Sequence, residues 1–224
     1  MPLIVIEGVD ASGKATQTKL LYEYFLSEGK SVRTLTFPDY ASDSSAPVKM
    51  YLSGKLGDSA DDVNPYAASA LFAVDRFCSY KTGWEKYLKE GEIIIADRYV
   101  TSNFIHQAAK IKDISEKDKF LSFQADFEYE RIGLPKPDKV IFLDVPPEVS
   151  AFLMRERENK FTHEKEKDIH EKDLSYIKKS YENALYVAEK FGFTKIVCTE
   201  NGKMKSPEKI AEEVRSEVMS ALVK

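Results

Sequence analysis

Residues 8 to 14 read Gly8-Val9-Asp10-Ala11-Ser12-Gly13-Lys14, two glycines and a lysine in a G-x-x-x-x-G-K spacing that suits the phosphates of a nucleotide. The two glycines let the backbone wind closely around phosphate oxygens with its N–H groups turned inward. A helix beginning near Lys14 points its positive end at the same place, and Lys14 adds a full charge for the β and γ phosphates. Val9, Asp10, Ala11 and Ser12 belong to this cradle, and Ala15 and Thr16 follow it on the first helical turn. The position after the lysine suits a hydroxyl that holds Mg²⁺, yet it is Ala15; Thr16 carries a hydroxyl about a hundred degrees further round the helix. Mg²⁺ must then lean on phosphates, water and a carboxylate. Asp97 is the candidate metal ligand, because it ends an apolar run and strand C-termini line the ligand crevice of open α/β sheets. The alternative for Asp97 is a carboxylate capping the next helix, and for the cradle a glycine-rich turn with no ligand.

These groups need a scaffold, and the chain supplies one. Short apolar runs at Leu3 to Ile6, Val32 to Phe37, Ile93 to Ala96, Val140 to Leu143 and Lys195 to Cys198 predict strands buried on both faces. Between them the pairs Leu20/Tyr24 and Leu21/Phe25 recur at i,i+4, as do Ile210, Val214 and Val218 near the C-terminus, so helices alternate with the strands. That alternation predicts an α/β fold with a parallel sheet wrapped by helices. At 224 residues, with 43% apolar residues, one domain spanning 1 to 224 can bury a substantial core.

Charge narrows the partners. Lys plus Arg number 33 against 37 Asp plus Glu, a net charge of -4, which offers no broad cationic field for nucleic acid. Cys78 and Cys198 are too few for a disulfide framework and fit a reducing compartment. The start of the chain carries no basic leader, and no segment approaches membrane-spanning length, so a cytoplasmic, soluble protein is expected. From Arg155 to Asp173, cations and carboxylates mingle with almost no apolar residues, the composition of a solvated face or of a mobile lid.

The residues that could receive a phosphoryl group lie in the middle of the chain. A helix is predicted over 65 to 80, with Ala67, Ala70, Leu71, Val74 and Cys78 on one apolar face and Phe72 and Arg76 on another. An aromatic plane and a forked cation at i,i+4 can address one flat ligand; taken alone, the pair also fits a tucked Phe and a surface ion pair of Arg76, for instance with Asp75. Their companions are Asp97-Arg98-Tyr99, then Thr101, Ser102, Asn103, His106 and Gln107, where Arg98 could face a phosphate and Asn103 and Gln107 could read the polar edge of a base. In order, GVDASGKATQ, FPDY (Phe37 to Tyr40), LFAVDR, DRYVTSNFIHQ and FLDVPPEV resemble the thymidylate kinase family, and the similarity covers nearly the whole chain.

The resemblance implies a P-loop kinase fold with a five-stranded parallel sheet flanked by helices on both faces and a charged lid over about 155 to 173. It further implies a homodimer and the conversion of dTMP and ATP to dTDP and ADP with Mg²⁺. Carried over by position, Asp10 would meet the sugar 3′-hydroxyl or the acceptor phosphate region, Phe72 would stack on thymine, and Arg76 would bond the base carbonyl. Arg98 would bind the acceptor phosphate, Asn103 and Gln107 would line the base, and Phe37, Ser102 and His106 would complete the acceptor site. The family places a catalytic Arg either in the cradle or in the lid; with Ala11 in the cradle, Arg155, Arg157 or a lid lysine takes that role. Lys14, Asp97 and Arg98 complete the catalytic candidates.

Four positions depart from the pattern: Ala15, Tyr40 where Arg is usual, His106 where Tyr or Phe closes off the sugar 2′ position, and Ile169 where Arg is common. They keep open two other readings, a kinase of another pyrimidine monophosphate and a nucleotide-binding protein without catalysis.

Overall fold

The computed structural model describes residues 2–160 and 174–222, with the backbone alone for 155–160 and 174. The five apolar runs become parallel strands β1 (Leu3–Gly8), β2 (Val32–Thr36), β3 (Ile93–Asp97), β4 (Lys139–Asp144) and β5 (Thr194–Val197), in the order β2-β3-β1-β4-β5. The helices are α1 (Lys14–Ser27), α2 (Ala46–Leu52), α3 (Pro65–Ser79), α4 (Glu85–Glu90), α5 (Thr101–His106), α6 (Ile114–Ala125), α7 (Pro147–Lys160), α8 (Leu174–Phe191) and α9 (Pro207–Leu222). This is the expected five-stranded parallel sheet flanked by helices.

Alternation along each strand divides the core in two. Leu3, Val5, Ile94, Ala96, Val140 and Phe142 point to one face and pack under Trp84, Phe104, Phe120, Ala184 and Val187. Ile4, Ile6, Ile95, Ile141 and Leu143 point to the other and pack under Leu21 and Phe25 of α1 and Ile210, Val214 and Val218 of α9. Each fully buried aliphatic or aromatic side chain contributes roughly 1.5–3 kcal/mol of transfer free energy. Burial on both faces holds throughout β1 and β3, whereas β2 and β5 are half-exposed because they are the sheet edges.

Register then places the chemistry. Ile6 of β1 stands opposite both Asp97 of β3 and Ile141 of β4, and Gly8 stands opposite Leu143. The strand order turns about β1, so the loop after β1 and the end of β3 open into one crevice at the C-terminal edge of the sheet.

α3 differs from its apolar pattern. Its buried residues are Ala68, Ser69, Ala73, Asp75 and Arg76, while Ala67 and Val74 of the predicted apolar face are exposed and Ala70, Leu71 and Cys78 are half-buried. The inward side mixes Ala68 and Ala73 with Ser69, Asp75 and Arg76, and buried partners satisfy the two charges; the predicted stripe is rotated part-way toward solvent, with Leu71 still packed against the Val48, Tyr51 and Leu52 cluster. The helical path also continues past Ser79 through a π-turn, Tyr80–Trp84, that drives Trp84 into the core against Tyr80 and Tyr99.

Candidate active site

The cradle is built by two backbone constraints. A Cβ on Gly8 would stand 2.5 Å from Ser12 Oγ and 3.1 Å from the Leu143 carbonyl, so the turn closes only over a glycine. Gly13 caps α1 at φ 91°, a left-handed conformation that favours glycine. Lys14 folds back into the loop and donates to the Gly8 carbonyl at 3.1 Å and the Val9 carbonyl at 2.9 Å, with Asp10 Oδ1 at 3.9 Å. Burial, then the nearby Arg98, lowers the Lys14 pKa to about 8. The buried hydroxyl of Ser12 has no hydrogen-bond partner among the described residues, and Ala15 and Thr16 are exposed on the first turn of α1.

Opposite the cradle stands Arg98, at φ 68° just past the end of β3. Its guanidinium pairs with Asp10 Oδ1 and donates to His106 Nε2 at 3.0 Å, which makes that ring nitrogen an acceptor. Burial works against the Arg98 charge, but Asp10, Glu7 and Asp97 outweigh it and raise the pKa. Glu7, absent from the sequence-based candidates, lies fully buried under this pair. It accepts from Thr101 Oγ1 at 2.6 Å, Ser102 Oγ at 2.9 Å and the Tyr99 N–H at 3.3 Å. Burial raises its pKa, with Arg98 as the largest opposing influence. Its signal was a lone carboxylate at the end of an otherwise apolar strand.

Away from the cradle, Arg76 is 2% exposed and forms a two-pronged pair with Glu128, Nε and Nη2 each at 2.7 Å from a carboxylate oxygen. The suggested pairing of Arg76 with Asp75 is replaced by this one. Asp75 instead holds the Phe37 to Tyr40 loop, accepting from the Asp39 N–H at 2.9 Å and Ser44 Oγ at 2.7 Å. Phe37 is buried against Tyr99, and half-buried Phe72 meets the edge of Tyr51 at 6.0 Å. Asn103 is buried with Nδ2 toward Glu128, and Gln107 is buried one turn on.

α8 grips the end of α5: Asn183 Nδ2 donates to the Phe104 and Ile105 carbonyls at 2.9 and 2.6 Å, and Tyr176 OH to the His106 carbonyl at 2.8 Å. A small recess lined by Val9, Asp10, His106, Tyr176, Ile177 and Ser180 lies between α8 and the cradle. Thus Lys14, Asp10, Arg98, His106, Ser102 and Asp97 gather at one end of the crevice, and Phe72, Arg76, Asn103 and Gln107 border α3 and α5. Arg155 and Arg157 fall on α7, but their side chains and 161–173, hence the lid expectation, lie outside the described residues.

A phosphate-binding loop between a central parallel strand and a helix, facing a second cationic centre at the next strand end, defines a P-loop nucleotide phosphotransferase. A family model described as thymidylate kinase matches residues 6–210, and the chain belongs to that family of nucleoside monophosphate kinases. It is 37% identical over 156 residues to the thymidylate kinase of Mycobacterium tuberculosis (strain ATCC 25618 / H37Rv), covering 69% of this chain and 71% of that protein. It is 32% identical over 144 residues to the Homo sapiens thymidylate kinase, covering 64% and 60%. A probable thymidylate kinase of Pyrobaculum aerophilum is 29% identical over 214 residues, covering 96% of this chain and 94% of that protein. The family uses ATP as phosphoryl donor, typically with Mg²⁺.

Proposed function

We propose that this chain transfers the γ-phosphoryl group of ATP to dTMP, giving dTDP and ADP, within one domain. The observation that carries the reading is the Asp10–Arg98 ion pair facing the Lys14 cradle, two anion-binding centres in one crevice. In this family an ionised phosphate oxygen attacks another phosphate, so positioning and charge do the work and no strong general base is needed.

The cradle fits the triphosphate: Gly8 lets the turn close on Ser12 and Leu143, Gly13 faces open space, the Ser12 hydroxyl awaits an acceptor, and Lys14 lies within the loop. Lys14 exchanges its two carbonyl partners for phosphate oxygens and holds them. Arg98 orients the acceptor phosphate, with Asp10 and His106 fixing the guanidinium plane and Glu7 fixing the start of α5 beneath it. Phe72 supports the base face, and Arg76, Asn103 and Gln107 address its edge. Among the described residues no three His, Cys, Asp or Glu side chains converge as a metal cage. Mg²⁺ needs none, since one carboxylate with phosphates and water suffices, and Asp97 would hold it. Once bound it would supply charge neutralisation across the phosphates. Arg155 or Arg157 of the lid would add charge to the phosphoryl group in transfer.

The exposed apolar residues of α3 and α6, Tyr66, Val74 and Phe123, support a homodimer through that face. Light scattering should give twice the chain mass, and Val74→Glu should shift it to the monomer. Among the described residues no helix is long and apolar enough to cross a membrane. The decisive assay couples ADP release to ATP, Mg²⁺ and each of dTMP, dUMP, UMP, dCMP, GMP and AMP. We expect dTMP to be fastest; a faster UMP or dCMP would transfer the reading to another pyrimidine, and ATP binding without turnover of any of them would leave a non-catalytic protein.

A further inference from the structure

Between α3, α5 and α6 one buried carboxylate collects four N–H groups. Glu128 Oε2 accepts from Arg76 Nε at 2.7 Å. Its Oε1 accepts from Arg76 Nη2 at 2.7 Å, Asn103 Nδ2 at 2.9 Å and Gln124 Nε2 at 2.5 Å. Glu128 and Gln124 are fully buried, and Arg76 and Asn103 are 2% exposed. Glu128 sits in a π-turn, Asp126–Arg131, that continues α6 and swings the carboxylate under the crevice.

The network fixes polarity as well as position. A carboxylate can only accept, so the amide nitrogen of Asn103 must turn toward Glu128 and the Ser69 carbonyl at 3.3 Å, leaving its carbonyl oxygen to the other side. Arg76 spends Nε and one Nη2 proton on Glu128, and Nη1 makes a long 3.5 Å approach to the Tyr99 carbonyl, so further N–H groups remain to be used. A donor from Arg76 beside an acceptor from Asn103 matches a ring carbonyl beside a ring N–H, the edge of a 2,4-dioxopyrimidine. A 4-aminopyrimidine presents the reverse pair, its amino group toward Arg76 and a bare ring nitrogen toward the Asn103 oxygen.

We propose that Glu128 is the positioning residue that makes the acceptor site select 2,4-dioxopyrimidine nucleotides over 4-aminopyrimidine nucleotides, by fixing which way Asn103 and Arg76 present their hydrogen bonds. This rests on the reading of Phe72, Arg76 and Asn103 as the base site, and it assigns the discrimination to a residue that does not touch the base. A carboxylate that merely tied α6 to α3 would affect all substrates equally.

The test is Glu128→Gln, assayed with dTMP and with dCMP at saturating ATP. Glutamine keeps the shape but turns one N–H₂ against Arg76 or Asn103. The dTMP kcat/KM should fall about 10- to 100-fold, carried by KM, while dCMP is unchanged or improved, so the preference ratio shrinks by at least about tenfold. The KM for ATP should not move, and Glu128→Asp, which keeps an acceptor-only group, should recover part of the ratio. Equal losses on both substrates, or an unchanged ratio, would overturn the proposal. Gln124→Leu removes one donor but leaves the Arg76 fork and the acceptor-only carboxylate that orients Asn103, so it should keep the ratio within about threefold; Glu128→Asp, whose shorter reach should lower the ratio only in part, decides the matter if Glu128→Gln fails to fold. A wild-type enzyme that ignores dTMP sinks the function reading itself, whereas one that prefers dTMP while the Glu128 variants keep its ratio sinks this inference alone.

Discussion

Replacing Lys14 with methionine should alter the pH dependence of stability as well as the chemistry. Burial and Arg98 lower the Lys14 pKa in the folded protein from 10.5 to about 8. Between these values the unfolded chain binds more protons than the folded one, so stability rises with pH through that window. Above 10.5 both states are neutral at this site and nothing is lost; below 8 both are charged and the full cost, about 3 kcal/mol, is in place. Lys14→Met keeps the aliphatic stem and removes the titration. Relative to this variant, the wild type should therefore gain about 2 kcal/mol between pH 7 and pH 9.5. Urea unfolding of both proteins at these two pH values reads that difference directly, and other titrating groups cancel in the comparison. A difference that stays constant within about 0.5 kcal/mol would refute the argument that Lys14 is held against its own desolvation. The same cost implies a function: phosphates in the cradle offset it, so ATP binding at pH 8.5 should be accompanied by proton uptake in the wild type and none at this site in the variant. Phosphoryl transfer by Lys14→Met should fall by roughly a thousandfold or more, since a charge that stabilises the transferring group is lost.

Gly13→Ala meets open space, so its cost is the left-handed backbone alone, about 1–2 kcal/mol in thermal or urea unfolding, together with weaker ATP binding as the turn shifts. Asp75→Ala removes the acceptor of the Asp39 N–H and the Ser44 hydroxyl; it should cost about 1–3 kcal/mol and raise the dTMP KM severalfold with little change in the KM for ATP.

Much of this molecule is legible without coordinates because its signals are local. Five short runs become five strands: Leu3 to Ile6 and Ile93 to Ala96 are unbroken apolar because the sheet is covered on both faces there, while the half-exposed edges β2 and β5 are legible from β-branched residues among polar ones. Gly8, Gly13 and Lys14 reveal the cradle since backbone curvature and a charge suffice to make one. The order of the motifs along the chain likewise carried the family. Helical periodicity misread α3, because it identifies an apolar stripe but not which side meets the core; here Asp75 and Arg76 go inward beside Ala68 and Ala73, their charges satisfied by groups that the stripe cannot reveal. Arg76 meets Glu128 across 52 residues, and Glu7 meets Thr101 and Ser102 across 94 and 95. The grip of α8 on α5 likewise spans 78 and 79 residues. Such partners are brought together by the crossovers and the strand register, which place the ends of β1 and β3 side by side, so spacing along the chain holds no trace of them. Residue types and short-range spacing thus determined the strands and the cradle, while the tertiary structure alone decided which buried carboxylate faces each cation, because desolvated charges settle on whatever partner the packing brings within hydrogen-bond reach.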